Sequence, residues 1–225
     1  MCKKYVAVLF TLLTLSLTAQ AEVEWKEGEH YFELRPAQPR VTFDDKIEVT
    51  EVFSYGCIYC NRFYPIVDKL KASLPSNAKL VYLPASFLPN ENWPMFQRAF
   101  CTADSLGLVE KTHDAMFDAV WKTGELAILD EKTQQLKKTM PTIEDAAKFY
   151  NRIAGVPVDK FIAAATKSFD VDLKVKRADE LVKAYRVDGT PSIVVNGKYR
   201  INLGAVGTAD RLVDLVTWLV QKESK

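Results

Sequence analysis

The chain has 225 residues, 48% of them hydrophobic, and 30 basic side chains stand against 29 acidic ones for a formal net charge of +1. That balance argues against nucleic acid or an anionic membrane surface as the partner. The length is sufficient to bury a core without metals or staples, as one compact unit or one domain with a large insertion.

Residues 1–21 carry Lys3 and Lys4, then an apolar stretch from Tyr5 to Leu17, then Ala19-Gln20-Ala21, a small-x-small cleavage signal. This order reads as a secretory signal peptide. The apolar stretch is too short and too rich in Thr and Ser to anchor the chain, and no later run reaches the roughly 18–20 apolar residues of a membrane span. Cys2 precedes the apolar stretch, which argues against lipoprotein processing. Cleavage would leave Glu22 to Lys225, 204 residues, and loss of Lys3 and Lys4 would take the net charge from +1 to −1. Export by such a signal implies an oxidising compartment outside the cytosol, and the three cysteines that would remain, Cys57, Cys60 and Cys101, are too few for a disulfide-stapled scaffold.

After a polar lead-in from Glu22 to Asp45, alternation over Ile47 to Phe53 predicts a strand. A helix follows from about Cys57 to Leu74, with Cys60, Phe63, Tyr64, Val67, Leu70 and Leu74 on its apolar face. Pro65 should bend it or break its first turn from the rest. Lys79 to Leu83 reads as a second strand. From Asn90 to Val187 the pattern is almost wholly helical. Trp93/Phe96/Phe100, Leu108/Thr112/Ala115/Met116/Ala119, Ile143/Ala147/Tyr150/Ile153, Phe161/Ala165 and Leu173/Val175/Leu181/Tyr185 mark successive amphipathic segments, with helix starts expected at Thr142, Asp159 and Asp170. Strand character returns at Ser192 to Val195. Asn196-Gly197 signals a type I′ hairpin into Lys198 to Ile201, and a last helix runs from about Thr208 to Val220. The sum is a βαβ unit, a helical insertion and a ββα ending, an α/β fold with helices on both faces of one sheet.

The chemistry concentrates at Cys57-Ile58-Tyr59-Cys60, between the first strand and its helix. Two cysteines three apart on the first helical turn can close a disulfide, and the first faces unpaired helix N–H groups. Those groups and the helix dipole favour thiolate by about 0.3–1 kcal/mol or more. Thiolate is both nucleophile and leaving group, so such a site suits disulfide exchange. A structural disulfide and half of a zinc site are the plainer readings. Zinc would need two more ligands, and Cys101, His30, His113 and the carboxylates provide no second CxxC or HxxxH spacing. Cys101, within Ala99-Phe100-Cys101-Thr102-Ala103, reads as a buried packing thiol, with a regulatory or intermolecular disulfide as the functional alternative. His30 and His113 read as surface or structural residues.

Strand, CxxC, helix, strand, then Gly189-Thr190-Pro191 and a ββα ending, with residues 88–188 as a 101-residue insertion, resembles the thioredoxin fold as elaborated in the DsbA family of periplasmic thiol–disulfide oxidoreductases. The resemblance extends over Gly28-Glu29-His30-Tyr31, Glu51 to Cys57, Val187 to Ser192 and Asn196 to Tyr199. It implies a central mixed sheet flanked by helices, with residues 22–87 and 189–225 forming the thioredoxin-like domain around an all-helical insertion. Cys57 then matches the exposed nucleophile and Cys60 the buried resolving partner of a redox-active disulfide. Pro191 matches a cis-proline facing that disulfide, and the backbone of Thr190 pairs with an extended substrate peptide, beside Ile58 and Tyr59. Glu51 shares a strand face with Val49 and Phe53, and the family has an acid here. Burial would raise its pKa and let it relay the Cys60 proton, whereas a solvated face would make it an ordinary charge.

Many family members carry Pro-His between the cysteines, so Ile58-Tyr59 omits an imidazole that would stabilise the thiolate. The resemblance implies a catalyst that introduces disulfides into exported proteins bearing cysteines, reoxidised by a DsbB-like quinone-linked membrane protein, with neither metal nor organic cofactor. A reductase or isomerase on the same fold, or a peptide-binding chaperone with a structural CxxC, is the rival reading.

Overall fold

The computed structural model describes residues 25–224, so the expected signal peptide at residues 1–21 lies outside the described residues. Five strands form one sheet: β1 (Tyr31–Glu33), β2 (Ile47–Phe53), β3 (Ala78–Pro84), β4 (Ser192–Val195) and β5 (Tyr199–Ile201). Their spatial order is β1-β5-β4-β2-β3, with β2 and β3 parallel and every other pairing antiparallel. The sheet is therefore mixed, as the resemblance implies. β2 lies inside it, between β4 and β3, and all seven of its residues are buried. β1 falls within the segment read as a polar lead-in. Three residues are too short to show alternation, and Tyr31-Phe32-Glu33 is extended because it pairs with Ile201, Arg200 and Tyr199.

The late hairpin follows its turn chemistry. Asn196 and Gly197 have φ of 53° and 64°, and Lys198 N donates to Val195 O at 2.9 Å, the geometry that Asn-Gly favours. Thr142 caps its helix with a reciprocal Thr142–Asp145 capping box. Asp159 and Asp170 prove to be first-turn acids rather than caps. Pro157 and Ser168 occupy the cap positions, and the Ser168 hydroxyl accepts from Val171 N. There the carboxylates still favour the positive helix end.

Helix α1 (Ile58–Ser73) continues through Pro65, so of the expected bend or break the break does not occur. Cys60, Val67 and Leu70 are buried on both sides of the proline, and that packing outweighs one lost backbone bond. Between β3 and β4 lie α2 (Trp93–Ser105), α3 (Val109–Trp121), α4 (Ile143–Ala154), α5 (Val158–Lys167) and α6 (Phe169–Ala184). The region is less uniformly helical than its pattern suggests. Residues 122–141 form turns, with Gly124 and Gln134 at positive φ and the Asp130 carboxylate accepting from the N–H groups of Lys132 and Thr133. On α6 the buried stripe is Val171, Ala178, Leu181 and Val182, while Leu173 is 52% exposed. Two residues from Val171 is about 200° around a helix, so Leu173 faces away.

The apolar interior divides at the sheet. One cluster joins Val49, Ile193 and Val195 to Leu70 of α1 and to Leu212, Leu215, Val216 and Leu219 of α8 (Ala209–Glu223), which follows the short α7 (Leu203–Val206). The other unites Phe53, Tyr55 and Cys60 with Phe96, Phe100, Met116, Phe117, Phe149, Tyr150 and Phe161 of the helical insertion. Cys101 belongs to this second cluster at 3% exposure, and burial pushes its thiol up to about 12. It borders a cleft of about 820 Å³ between β3 and α6 that does not reach Cys57. Cys101→Ala should retain exchange activity and lower stability by roughly 1 kcal/mol, while Cys101→Ser should cost about 1–3 kcal/mol by burying a hydroxyl, as denaturant midpoints would show.

Candidate active site

Ser54-Tyr55-Gly56 turns the chain from β2 into α1 and fixes where Cys57 stands. Cys57 N donates to Ser54 O at 3.1 Å, Gly56 N to the Ser54 hydroxyl at 3.2 Å, and Asn61 N to Cys57 O at 3.1 Å. Glycine is required at 56 by space, because a Cβ there would stand 2.8 Å from both Glu91 O and Trp93 Cδ1. The insertion grips the same turn. Trp121 Nε1 donates to Tyr55 O at 2.8 Å, and the Tyr55 hydroxyl pairs with His113 Nδ1 at 2.9 Å. His113 is buried, which lowers its pKa to about 3 and keeps it neutral. His30 is buried as well, accepting from Lys26 N at 3.1 Å. Both histidines are thus internal, and neither sits on the surface.

Cys57 is the N-cap of α1, and no side chain caps this helix start. Its sulfur lies within reach of the Tyr59 and Cys60 backbone N–H groups without making a cap bond as the thiol. Its pKa falls to about 6, first through the hydrogen bond offered by Cys60, against the opposing effect of burial, and further through the Thr190 side chain and the Cys60 and Tyr59 backbone N–H groups. Cys60 moves the other way, well above the ordinary range, because it is buried and beside the Cys57 charge. The expectation of an exposed Cys57 needs correction. It retains 6% of its surface against 0% for Cys60, because Thr190 and the aromatic residues around Gly56 cover the turn.

Thr190 lies against the sulfur although 133 residues separate it from Cys57 in the chain. The Thr190–Pro191 bond is cis, and the Cys57 thiol donates to Thr190 O at 3.4 Å. That bond exists only for the protonated thiol. The Thr190 hydroxyl, buried and without a partner among the described residues, is the side-chain group here that can donate to a thiolate. Ile58 is half-buried and Tyr59 is 65% exposed. Phe87 and Leu88 are also exposed, and a hollow of about 360 Å³ lined by Ser86, Phe87, Val182, Val187 and Asp188 adjoins the loop that leads to Thr190. Apolar surface is therefore exposed at Tyr59, between the two cysteines, and at Phe87 and Leu88.

Two glutamates on β2 are fully buried, on opposite faces of the strand. Glu48 is saturated, accepting from Val41 N at 2.8 Å, Thr42 N at 2.6 Å and the Thr42 hydroxyl. Among the described residues neither oxygen of Glu51 has a partner, and its pKa rises to about 8, first from burial and then from repulsion by Asp68, Asp114 and Cys57. The sequence indicated Glu51 but not the Tyr55–His113 and Trp121 contacts. Those join residues far apart in the chain and leave no local pattern.

Comparison with known proteins agrees with this geometry. The thioredoxin family model matches residues 44–214. The thiol:disulfide interchange protein DsbA of Pseudomonas syringae pv. tomato is 34% identical over 217 residues, covering 96% of this chain and 93% of that relative. The DsbA of Pseudomonas aeruginosa PAO1 is 34% identical over 218 residues, 96% and 94% of the two chains. Among solved structures, Pseudomonas aeruginosa DsbA superposes with a TM-score of 0.72 at 32% identity, covering 89% of this chain and 95% of that one. Xylella fastidiosa DsbA gives 0.75 at 28% identity, covering 88% and 97%. A CxxC pair with opposed sulfur acidities facing a cis-proline, on a thioredoxin sheet with a helical insertion, thus coincides with similarity along nearly the whole chain, and the protein belongs to the DsbA family of thiol:disulfide interchange proteins, oxidoreductases of the thioredoxin fold.

Proposed function

We propose that this chain passes a Cys57–Cys60 disulfide to cysteine-bearing proteins newly exported to the periplasm. Residues 1–21 would act as a cleaved signal peptide, and residues 22–87 with 189–225 would form the catalytic domain around the insertion 88–188. The observation that carries the direction of exchange is the opposed acidity of the two sulfurs. A thiolate exists only in the reduced pair, so stabilising it favours reduced enzyme and makes the disulfide more oxidising. A Cys57 pKa of about 6, against an ordinary value near 8.5, contributes about 1.4 kcal/mol at pH 7, or roughly 30 mV.

A substrate thiolate attacks Cys57 Sγ, the Cys57–Cys60 bond breaks, and Cys60 leaves with the electron pair. Glu51, protonated at neutral pH by its burial, supplies a proton to the Cys60 thiolate. A second substrate thiolate then attacks the substrate sulfur of the mixed disulfide. Cys57 leaves as a thiolate and the substrate carries away a disulfide, so two electrons have passed to the enzyme. The Thr190 backbone, with Pro191, Ile58 and Tyr59, would hold an extended peptide across the sulfur, the missing Pro191 N–H leaving that edge open. A DsbB-like quinone-linked membrane protein would reoxidise the pair.

The test is oxidative refolding of a reduced client with catalytic amounts of protein in a glutathione buffer, run beside insulin reduction. Accelerated formation of native disulfides with weak insulin reduction is the expected result. Fast insulin reduction without client oxidation would identify a reductase, and no turnover in either assay would identify a peptide binder with a structural CxxC.

A further inference from the structure

The seam between α1 and α3 runs along the side of β2 that carries Glu51. Its register is fixed at two points: the Tyr64 ring stacks on Phe117 with centroids 5.8 Å apart, and Lys71 Nζ bonds Glu110 Oε2 at 2.8 Å. The helices are therefore antiparallel, and the level between those contacts brings Asp68 of α1 opposite His113 and Asp114 of α3. Below lies the β2–β3 pair Glu51–Tyr82, with the Tyr82 ring stacked 3.9 Å from His113.

The charges of this seam are unevenly matched. From α1 come Asp68 and Lys71. From α3 come Glu110, neutral His113, Asp114 and Asp118, and β3 contributes the Tyr82 hydroxyl. Lys71 is paired with Glu110, Lys122 with Asp118, and neighbouring Lys69 with Asp210. Among the described residues Asp68 and Asp114 form no ion pair, and Lys71, which offsets part of the charge around Asp114, is held by Glu110. Glu51 beneath them is fully buried with both oxygens unpartnered, and His113 Nε2 is a second buried polar atom without a partner. An acid so placed sees like charge without a cation of its own. Resting on the reading of Glu51 as the proton donor to Cys60, we propose that Asp68 and Asp114 are positioning residues whose unpaired charges add to burial in favouring the protonated form of Glu51.

Both aspartates are exposed, so their effect on Glu51, unlike that of burial, responds to salt. Partial desolvation and then repulsion by Asp68 raise the pKa of Asp114, the second effect being expected if the two face each other.

The experiment follows the Glu51 carboxyl by carbon-13 NMR and, in parallel, the pH profile of single-turnover reduction of the oxidised protein by a dithiol. Asp68→Asn/Asp114→Asn should lower the Glu51 midpoint by about half to one pH unit and move the falling limb of the rate profile down equally, while Asp68→Glu/Asp114→Glu should restore both. In wild type, 1 M salt should lower the Glu51 midpoint without any substitution, and salt should have little effect in the Asn double variant. An unchanged midpoint in both the Asn variant and high salt would overturn the proposal. Glu51→Gln separates the two readings: if it leaves the rate and its profile unaltered, the donor role of Glu51 fails, while the midpoint measurement still decides the role of the aspartates.

Discussion

Cys57→Ser is expected to abolish disulfide exchange, whereas in Cys60→Ala the Cys57 thiolate should attack a disulfide-bearing substrate, release one substrate thiolate and form a mixed disulfide that persists. Both variants should fold, since each replaces a small buried group beside a helix whose other contacts remain. The difference follows from their places on α1. Cys57 provides the sulfur at the helix start facing Thr190, and Cys60 lies one turn deeper. Without Cys57 there is no activated nucleophile. Without Cys60 the nucleophile survives but cannot be released internally. Cys60 is also the largest single stabiliser of the Cys57 thiolate, so Cys60→Ala should raise the Cys57 pKa from about 6. A hydrogen bond to a charged group contributes roughly 1.5–3 kcal/mol, which corresponds to about 1–2 pH units. Cys60→Ser, which retains a hydroxyl donor, should raise it less. Thiolate absorbance followed against pH measures both variants, and a Cys57 pKa unchanged in Cys60→Ala would refute the assignment of that hydrogen bond.

Glu51→Gln is expected to make the oxidised protein more stable at pH 8–9 while slowing exchange. In the dithiol form the folded pKa of about 8 lies above the unfolded value near 4.3, and the oxidised form loses only the last and smallest of its causes, the Cys57 charge, so the shift keeps its direction. Between those values the folded state holds a proton that the unfolded state has released, so wild-type stability declines as pH rises through this window and levels off above it. The full difference has an upper bound of about 5 kcal/mol, and local opening and solvent entry reduce it to a few kcal/mol. The glutamine side chain removes the titration and should flatten the profile. The oxidised form isolates the effect, because in reduced protein the depressed Cys57 pKa adds stability as pH rises from about 6 to its unfolded value. Chemical denaturation at pH 5, 7 and 9 checks this. Parallel wild-type and Glu51→Gln profiles would show that Glu51 does not titrate as its burial requires.

Local pattern carried much of this architecture. Asn196-Gly197 specified its hairpin through positive φ, Thr142 its helix start through a capping box, and Cys57-Ile58-Tyr59-Cys60 its place after a buried strand. The failures arose where distant partners decide. Tyr31-Phe32-Glu33 is a strand only because β5 is present to pair with it, and Leu173 fits an apolar list but turns away from the stripe formed by Val171, Ala178 and Val182. At the site, Glu51 could be marked by its alternation with Val49 and Phe53. Nothing near Glu51 in sequence announces Asp68 or Asp114, which the packing of α1 on α3 brings over it. The covering of Cys57 by the Thr190 loop is likewise invisible locally, so the sequence suggests an exposed sulfur where the structure holds a nearly covered one.

The central claim is that a stabilised Cys57 thiolate makes this pair an oxidant, and the most direct measurement is the equilibrium of Cys57–Cys60 with glutathione as a function of pH. Below the Cys57 pKa, reduction takes up two protons with two electrons, and the potential should fall by about 59 mV per pH unit. Above it only Cys60 is protonated, and the slope should halve to about 30 mV per pH unit. The predicted result is a break near pH 6 with a potential at pH 7 more oxidising than that of an unperturbed dithiol pair. A single slope of about 59 mV per unit through pH 8, with the pair no more oxidising than ordinary thiols, would contradict it.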